Sequence, residues 1–525
     1  MVSPTLPRIL TVVGPPGTGK TTELARLIAK ASEELGASNV IVASLTRAAS
    51  RELLGRSLPV DENHVGTLHA ICYRALGRGP ILDADSKLLK EFAETYGRPM
   101  TGTKDGLDLL SDEPTGNDEA LKHMNLLRLR MVPRELWPSH VTAFADDWDS
   151  FKMFKGAVDF VGMIERALER LPAPPDGVRA VYYDEAQDGS ALELALIRQW
   201  AAHTEYTRIA GDDRQAIFTW RGASPEAFLA FSQERKYLEQ SYRIPRAVHV
   251  VAQRLASTLA VGSPQEYRPR DAEGEVVPVP WLSADPSEWL PQLLSLDGSV
   301  MVLATCRYML APVISCLKEA GVPFHNPFAE DAGQWNPLAR HAGISSADRL
   351  AAFCRLTTWR DLTLATDHLR AELLPRGSKA VIAGHKGDTA PVPFELACDL
   401  VGDDMLDAAI HKDLDWYERG LLPSKAHTLA FALRCARRMG IATLARWVDE
   451  VQGQPRKGLT VGTVHSVKGG EADTVLLFPD LSPAAFEQYD SSDRDTVTRT
   501  MYVGVTRARE RLLLGSPRGP LAFAW

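Results

Sequence analysis

Apolar residues recur along this chain in two rhythms. Short, almost continuous β-rich runs alternate with longer stretches in which apolar positions fall every three or four residues. The first run is "RILTVV" (8–13), followed by the glycine-rich "GPPGTGKTT". Then "ELARLIAKASEEL" (23–35) shows helical spacing and stops at Gly36, and "VIVAS" (40–44) is the next strand. The same texture returns at 179–183 (RAVYY), 207–210 (TRIA), 299–304 (SVMVLA), 459–464 (LTVGTV) and 473–478 (DTVLLF). Buried apolar strands alternating with helices predict parallel sheets covered on both faces. The fold class expected is therefore α/β.

Two regions break the alternation. Residues 78–178 read as helical apart from the turn-rich 101–118, and "PAPPDG" (172–177) leads back to the sheet. Residues 330–454 are again mostly helical. The plan expected is two parallel-sheet phosphate-loop cores, each interrupted by a helical insertion. The first core takes 1–77 and 179–235 and its insertion 78–178; the second takes 236–329 and 455–525 and its insertion 330–454.

Composition changes this picture little. The 525 residues are 45% hydrophobic and 24% charged, ordinary for a globular chain with several cores. No 18-residue apolar run suggests a membrane span, and the start has neither the basic segment nor the cleavage site of a signal peptide. The six cysteines (72, 306, 316, 354, 398, 435) never form CxxC, which fits a reducing, cytoplasmic setting. A net charge of −8 gives no support to nucleic-acid binding, although a local basic groove is what such binding needs.

The chemistry begins at Gly14-Pro15-Pro16-Gly17-Thr18-Gly19-Lys20-Thr21, which fits G-x-x-x-x-G-K-[ST] between a strand and a helix. Backbone N–H groups there wrap phosphates, Lys20 reaches the outer phosphates, and the Thr21 hydroxyl suits Mg²⁺. A strand ending in acids, "AVYYDEAQD" (180–188), is the expected partner. Asp184 suits the metal shell and Glu185 the attacking water. An acidic pair at a strand end could otherwise be a helix cap.

At this point several segments resemble the UvrD/Rep group of superfamily 1 helicases. "DEAQD" resembles the group's DExQD box, and "GDDRQAIFTWRGA" (211–223) its GDxxQxIYxWRGA segment. "LEQSYRIP" (238–245) resembles LxxNYRS, "VGTVHSVKGGEADTVLL" (461–477) resembles TxHxxKGLEFxxV, and "YVGVTRARERLLL" (502–514) resembles YVxxTRA. "IVASLTRAASREL" (41–53) and "VGTLHAICYRAL" (65–76) resemble the two early DNA-contact segments. All occur in the group's order.

The resemblance implies two RecA-like cores and an ATP- and Mg²⁺-dependent DNA helicase or translocase that moves 3′ to 5′ on single-stranded DNA. It implies that Gln215 touches the γ-phosphate or the attacking water. It also implies that Arg243 and Arg507 point at the γ-phosphate, that Tyr242 stacks on the base and that Glu471 reaches the ribose. It also implies that Thr22 lies beside the base. It places Thr46, Arg47, His69, Phe218, Trp220, Arg221, Thr463 and His465 near the strand. Spacing alone would make Phe218 and Trp220 core residues at i, i+2 of a strand; the motif context turns them toward stacking, Trp220 above all. The partners implied are single-stranded DNA and single-strand/duplex junctions, in replication or repair; RNA stays open beside DNA, and protein partners are not indicated. A translocase or protein-displacing motor with little unwinding is the alternative, and a nucleotide-gated switch or small-molecule kinase is a third class.

Three departures from the group's pattern carry expectations. No Gln precedes the first strand, and Thr22 stands where the group tends to have Arg, so adenine selectivity should be weak. Leu68 replaces an aromatic in the early "GTFH" segment, so one stacking platform should be missing. The insertions look small, and after the last strand only "SPRGPLAFAW" follows, which leaves no room for a C-terminal nuclease or interaction tail.

Overall fold

A computed structural model describes residues 8–44, 59–84, 86–100, 116–263, 266–279, 285–320, 322, 324–327, 334–335, 344–442, 444, 458–491 and 493–525. The chain forms two compact units, Met1–Pro280 with Val467–Trp525, and Trp281–Ser466.

The first unit holds a six-stranded parallel sheet. Its strands are β1 (Ile9–Val13), β2 (Val40–Ser44), β3 (Val65–Thr67), β4 (Ala180–Asp184), β5 (Tyr206–Gly211) and β6 (Arg235–Tyr237), in the order β3-β2-β4-β5-β1-β6. β2 and β4 are buried along their whole length, as helix-covered parallel strands must be. Helix α1 (Lys20–Leu35) returns from β1 to β2, burying Leu24, Leu27, Ile28 and Ala31 at helical spacing. β5 pairs with both β1 and β4, so the carboxyl ends of β1, β5 and β4 open side by side. That is where open α/β sheets bind ligands.

The same unit contains β7 (Glu275–Val279), with β12 (Ala472–Leu477) and β13 (Ala508–Gly515) from the C-terminal part of the chain, in the parallel order β12-β13-β7. The helix Arg494–Val505 leads into β13 and is almost entirely buried. Helices Ser86–Tyr96, Gly116–Leu129, Ser139–Lys155 and Phe160–Arg170 make the helical part, with Phe144, Trp148 and Phe151 each edge-on to Phe92 at its centre.

In the second unit β8 (Val300–Ala304), β9 (Phe324–His325), β10 (Gln334–Trp335) and β11 (Leu459–Thr463) lie in the order β10-β9-β11-β8, parallel except for the β9–β10 pair. Seven helices from Ser346–Phe353 to Pro423–Met439 bury Leu350, Phe353, Trp359, Tyr417 and Leu433. The fold is thus α/β, with parallel-sheet cores and mostly helical segments between their strands, as the alternation predicts. Among the described residues no helix is long and apolar enough to cross a membrane.

Candidate functional site

The phosphate loop grows directly out of β1. Its start is fixed by the Gly14 amide, which donates to the Gly211 carbonyl at 3.1 Å and so ties it to the end of β5. Thr18 Oγ1 donates to the Pro15 carbonyl at 2.8 Å and closes the turn. Gly17 and Gly19 take φ of 72° and 80°, a left-handed region that glycine enters without steric cost. At Gly17 a Cβ would also stand 2.3 Å from Cβ of Arg243. Lys20 opens α1 and its ammonium donates to the Gly14 carbonyl at 2.7 Å, so it stays inside the loop's curl. Thr22 is exposed two positions further along the helix.

A second segment backs this loop. Ser241 Oγ donates to the Pro16 carbonyl at 2.8 Å, and the Tyr242 amide donates to the Gly17 carbonyl at 2.8 Å. The Tyr242 ring is 72% exposed at the loop's rim. Arg243 pairs with Glu471 at 2.5 Å, and Arg509 reaches the same carboxylate at 3.3 Å.

The acids sit at the end of β4. Thr21 Oγ1 lies 3.3 Å from Asp184 Oδ2. Burial, then the neighbouring Glu185 carboxylate, pushes the Asp184 carboxyl up to about 7. Burial alone would raise Glu185 too, but Lys468, Lys20, the Gln187 amide and Arg507 together carry it below the usual carboxylate range. Two adjacent carboxyls are driven apart in this way, Glu185 held ionised and Asp184 held toward its neutral form. Glu185 adopts φ 54°, a conformation that costs a non-glycine residue about 1 kcal/mol or more. Crowded buried carboxylate beside a hydroxyl is a donor set that a hard dication would relieve. Among the described residues no cluster of three or more His, Cys, Asp or Glu side chains could hold a metal on protein ligands alone.

Gln215 closes the site. Its Nε2 donates to Asp212 at 2.7 Å, and its Oε1 accepts from Arg507 Nη2 at 3.0 Å. Arg507 is 1% exposed and held by the Val503 and Gly470 carbonyls at 2.9 and 3.0 Å. Burial, followed by Arg243, pushes its guanidinium down to about 9. Lys20, Asp184, Glu185, Gln215, Arg243, Glu471 and Arg507 therefore all belong to the first unit.

Phe218 and Trp220 lie three and five residues beyond Gln215. They do not sit on a strand, as their spacing alone suggests: Trp220 lies inside a short 3-10 turn, Thr219–Arg221, and Phe218 immediately precedes it, both half-buried. Their rings meet edge to face at 6.2 Å, with the exposed Arg221 guanidinium 5.6 Å from the Trp220 ring. His69, half-buried in helix Leu68–Ala75, stands 3.7 Å from Glu193; burial nonetheless pushes its imidazole pKa down. Leu68 is buried and offers no stacking face. Thr463 and His465 lie at the carboxyl end of β11 in the second unit, Thr463 buried and His465 half-buried. Thr46, Arg47 and the residues before Arg8 lie outside the described residues.

Residue-by-residue reasoning missed four members of this region. Gln187 donates to Glu185 at 2.6 Å and accepts from the Asp212 amide at 3.1 Å. Ser241 backs the phosphate loop, and Lys468 donates to Asp188 and, at 2.7 Å, to the Gln215 carbonyl. Arg499, fully buried, donates to the Asp213 carbonyl at 3.1 Å. The first three stand inside the quoted motifs, which were the available signal; Arg499 carried none.

Comparison with known proteins gives the chain two matches to family models. Residues 2–93 and 139–236 match the UvrD/REP helicase N-terminal domain, and residues 458–514 match the UvrD-like helicase C-terminal domain. A probable DNA helicase II homolog of Mycoplasma pneumoniae is 23% identical over 296 residues, 49% of this chain and 41% of that protein. The ATP-dependent DNA helicase PcrA of Staphylococcus aureus is 25% identical over 300 residues, 51% of this chain and 40% of that one. PcrA of Staphylococcus epidermidis is 26% identical over 266 residues, covering 45% and 36%. The matched region spans about two fifths of the length of these relatives. An arterivirus nonstructural protein 10 helicase aligns with 98% of this chain and 60% of its own at 12% identity, with a TM-score of 0.32, a superposition too loose to bear on fold or function.

Proposed function

We infer that this chain, a UvrD/Rep-like superfamily 1 helicase by family, is an ATP-dependent motor that moves on single-stranded DNA and unwinds duplex ahead of it, travelling 3′ to 5′. In this reading 1–77 with 179–235 and 236–329 with 455–525 are its RecA-like cores, and 78–178 and 330–454 its insertions. The observation that carries it is the reach of one short segment. Gln215 is bound to Arg507 beside Lys20 and Glu185, and the Phe218–Trp220 pair stands on the same segment a few residues on.

The chemistry follows from the residues. Loop amides and Lys20 bind the phosphates, and Tyr242 covers the base. Thr21 and Asp184 hold Mg²⁺, which supplies charge neutralisation on the phosphate oxygens. Gln215 orients a water and Glu185 accepts its proton as the water oxygen attacks the γ-phosphorus and the bond to ADP breaks. Arg243 and Arg507 balance the charge that spreads over the equatorial oxygens. Arg243 must first exchange Glu471 for phosphate, so substrate binding and alignment of the arginine are one event.

Strand contact needs no sequence readout. Stacking on aromatic faces is worth roughly 1–3 kcal/mol per base and accepts any base. Trp220, Phe218, Arg221 and His69 supply it here, with Thr46, Arg47, Thr463 and His465 as further contacts. Exposed Thr22 adds no planar or cationic group beside the base, and the site should accept GTP nearly as well as ATP.

The deciding measurement is ATPase activity with and without single-stranded DNA, in the wild type and in Trp220→Ala. Strong stimulation by DNA, reduced about tenfold or more in the variant, is expected. Hydrolysis indifferent to DNA in the wild type would sink the motor reading and revive a nucleotide-gated switch. A forked substrate then separates unwinding from bare translocation, and substrates blocked at either end read the polarity.

A further inference from the structure

The three contacts of Lys468 are unlike one another. Its ammonium donates to the buried Asp188 carboxylate that ends the acidic motif, and at 2.7 Å to the Gln215 carbonyl. It also stands 5.2 Å from the centroid of the Phe218 ring. An ammonium has three N–H donors, and two hydrogen bonds plus one ring face account for all three. The side chain is 11% exposed, so these interactions are poorly screened.

The placement matters because of what Lys468 spans. Gln215 and Phe218 bound a four-residue segment whose middle, Ala216 and Ile217, is fully buried. At one end the Gln215 side chain meets Arg507; at the other, Phe218 meets Trp220. Lys468 touches both ends of that segment and the acidic motif at once. A plain salt bridge to Asp188 would need neither the carbonyl nor the ring.

We propose that Lys468 is a positioning residue that couples the phosphate site to the strand-facing aromatics, by holding the Gln215 backbone and the Phe218 ring to one charge anchored on Asp188. The inference rests on the motor reading above. A shift of Gln215 toward or away from phosphate changes the distance from its carbonyl to the ammonium. The ammonium is pinned by Asp188, so the Phe218 ring must adjust with it. Nucleotide and strand then change each other's affinity by the same factor, as linkage requires.

The readout is that factor. Affinity for a fluorescent oligothymidylate is measured with and without a non-hydrolysable ATP analogue, in wild type, Lys468→Met, Phe218→Leu and the double variant. A wild-type ratio of about fivefold or more is expected, typical of coupled sites. In both single variants the ratio should fall to less than about twofold, and the double variant should fall no further. Lys468→Arg, which keeps the charge, should recover part of it. A lysine that merely stabilises the fold would weaken both affinities and leave the ratio at its wild-type value, and that result overturns the proposal. If Lys468→Met does not fold, Phe218→Leu decides alone: an unchanged ratio there overturns the proposal equally. Failure of the motor reading shows separately, as wild-type ATPase indifferent to DNA.

Discussion

Arg507 Nη2 donates to Gln215 Oε1 at 3.0 Å, and the direction of the guanidinium is set by two backbone carbonyls, Val503 and Gly470. The arginine is aimed by main chain and reports to a side chain. Arg507→Ala should lower kcat by about 10³-fold, the lower end of what a phosphoryl-transfer arginine contributes, with much less effect on nucleotide affinity. Arg507→Lys should not rescue it, because a point charge cannot reach both carbonyls and Gln215 from one position. Steady-state kinetics of these variants and of Gln215→Ala provide the check. The double variant should lose little beyond the worse single one, since the pair acts as a unit.

Tyr242 carries its ring at the rim of the phosphate loop, on a backbone amide bonded to Gly17. Tyr242→Ala should raise KM for ATP and GTP by similar factors, about tenfold, and leave kcat nearly unchanged, because stacking ignores base identity. A strong preference of the wild type for ATP would contradict the weak-selectivity reading.

Gly17 has two reasons to be glycine, its φ of 72° and its contact with Arg243. Gly17→Ala should abolish nucleotide binding, read by fluorescent nucleotide titration, with the fold intact by circular dichroism. Gly19→Ala, where a Cβ would meet nothing closer than 3.9 Å, should be the milder of the two.

A pH effect is expected far from the nucleotide. Asp83 is buried and accepts from the Phe160 amide at 3.1 and 3.2 Å. Burial and Asp159 push its carboxyl up to about 7, while Arg128 and Lys152 hold Asp159 well below the usual range against its own burial. A raised acid favours the folded state when protonated, so its contribution is full at low pH. That contribution is lost as pH rises from near 3.8 to about 7. Asp83→Asn cannot ionise. Its melting temperature relative to wild type should rise between pH 5 and pH 8, by the equivalent of a few kcal/mol at most.

What could be read from the sequence divides along physical lines. β1, β2, β4 and β5 were legible because buried parallel strands are written as short β-rich, largely apolar runs. β3 and β6 were not, because strands of three residues, mostly half-buried, leave no such run. The phosphate loop and the acids were legible because their chemistry dictates residue type and spacing together. Lys468 and Arg499 were not: a basic residue looks the same whether it meets water or a buried carbonyl, and only the packing distinguishes them. Phe218 and Trp220 read as alternating strand positions, yet Trp220 falls inside a 3-10 turn that Phe218 precedes and the left-handed Gly222 ends.

Glu185 holds a left-handed backbone at the end of β4, with its amide donating to Asp184 at 2.9 Å. Glycine would sit there more comfortably than glutamate, by about 1 kcal/mol. The protein would thus be more durable if it gave up the carboxylate proposed to accept the proton of the attacking water. Whatever selection acts on this position favours turnover over resilience, and attempts to harden the chain by replacing residues with positive φ should leave this one untouched.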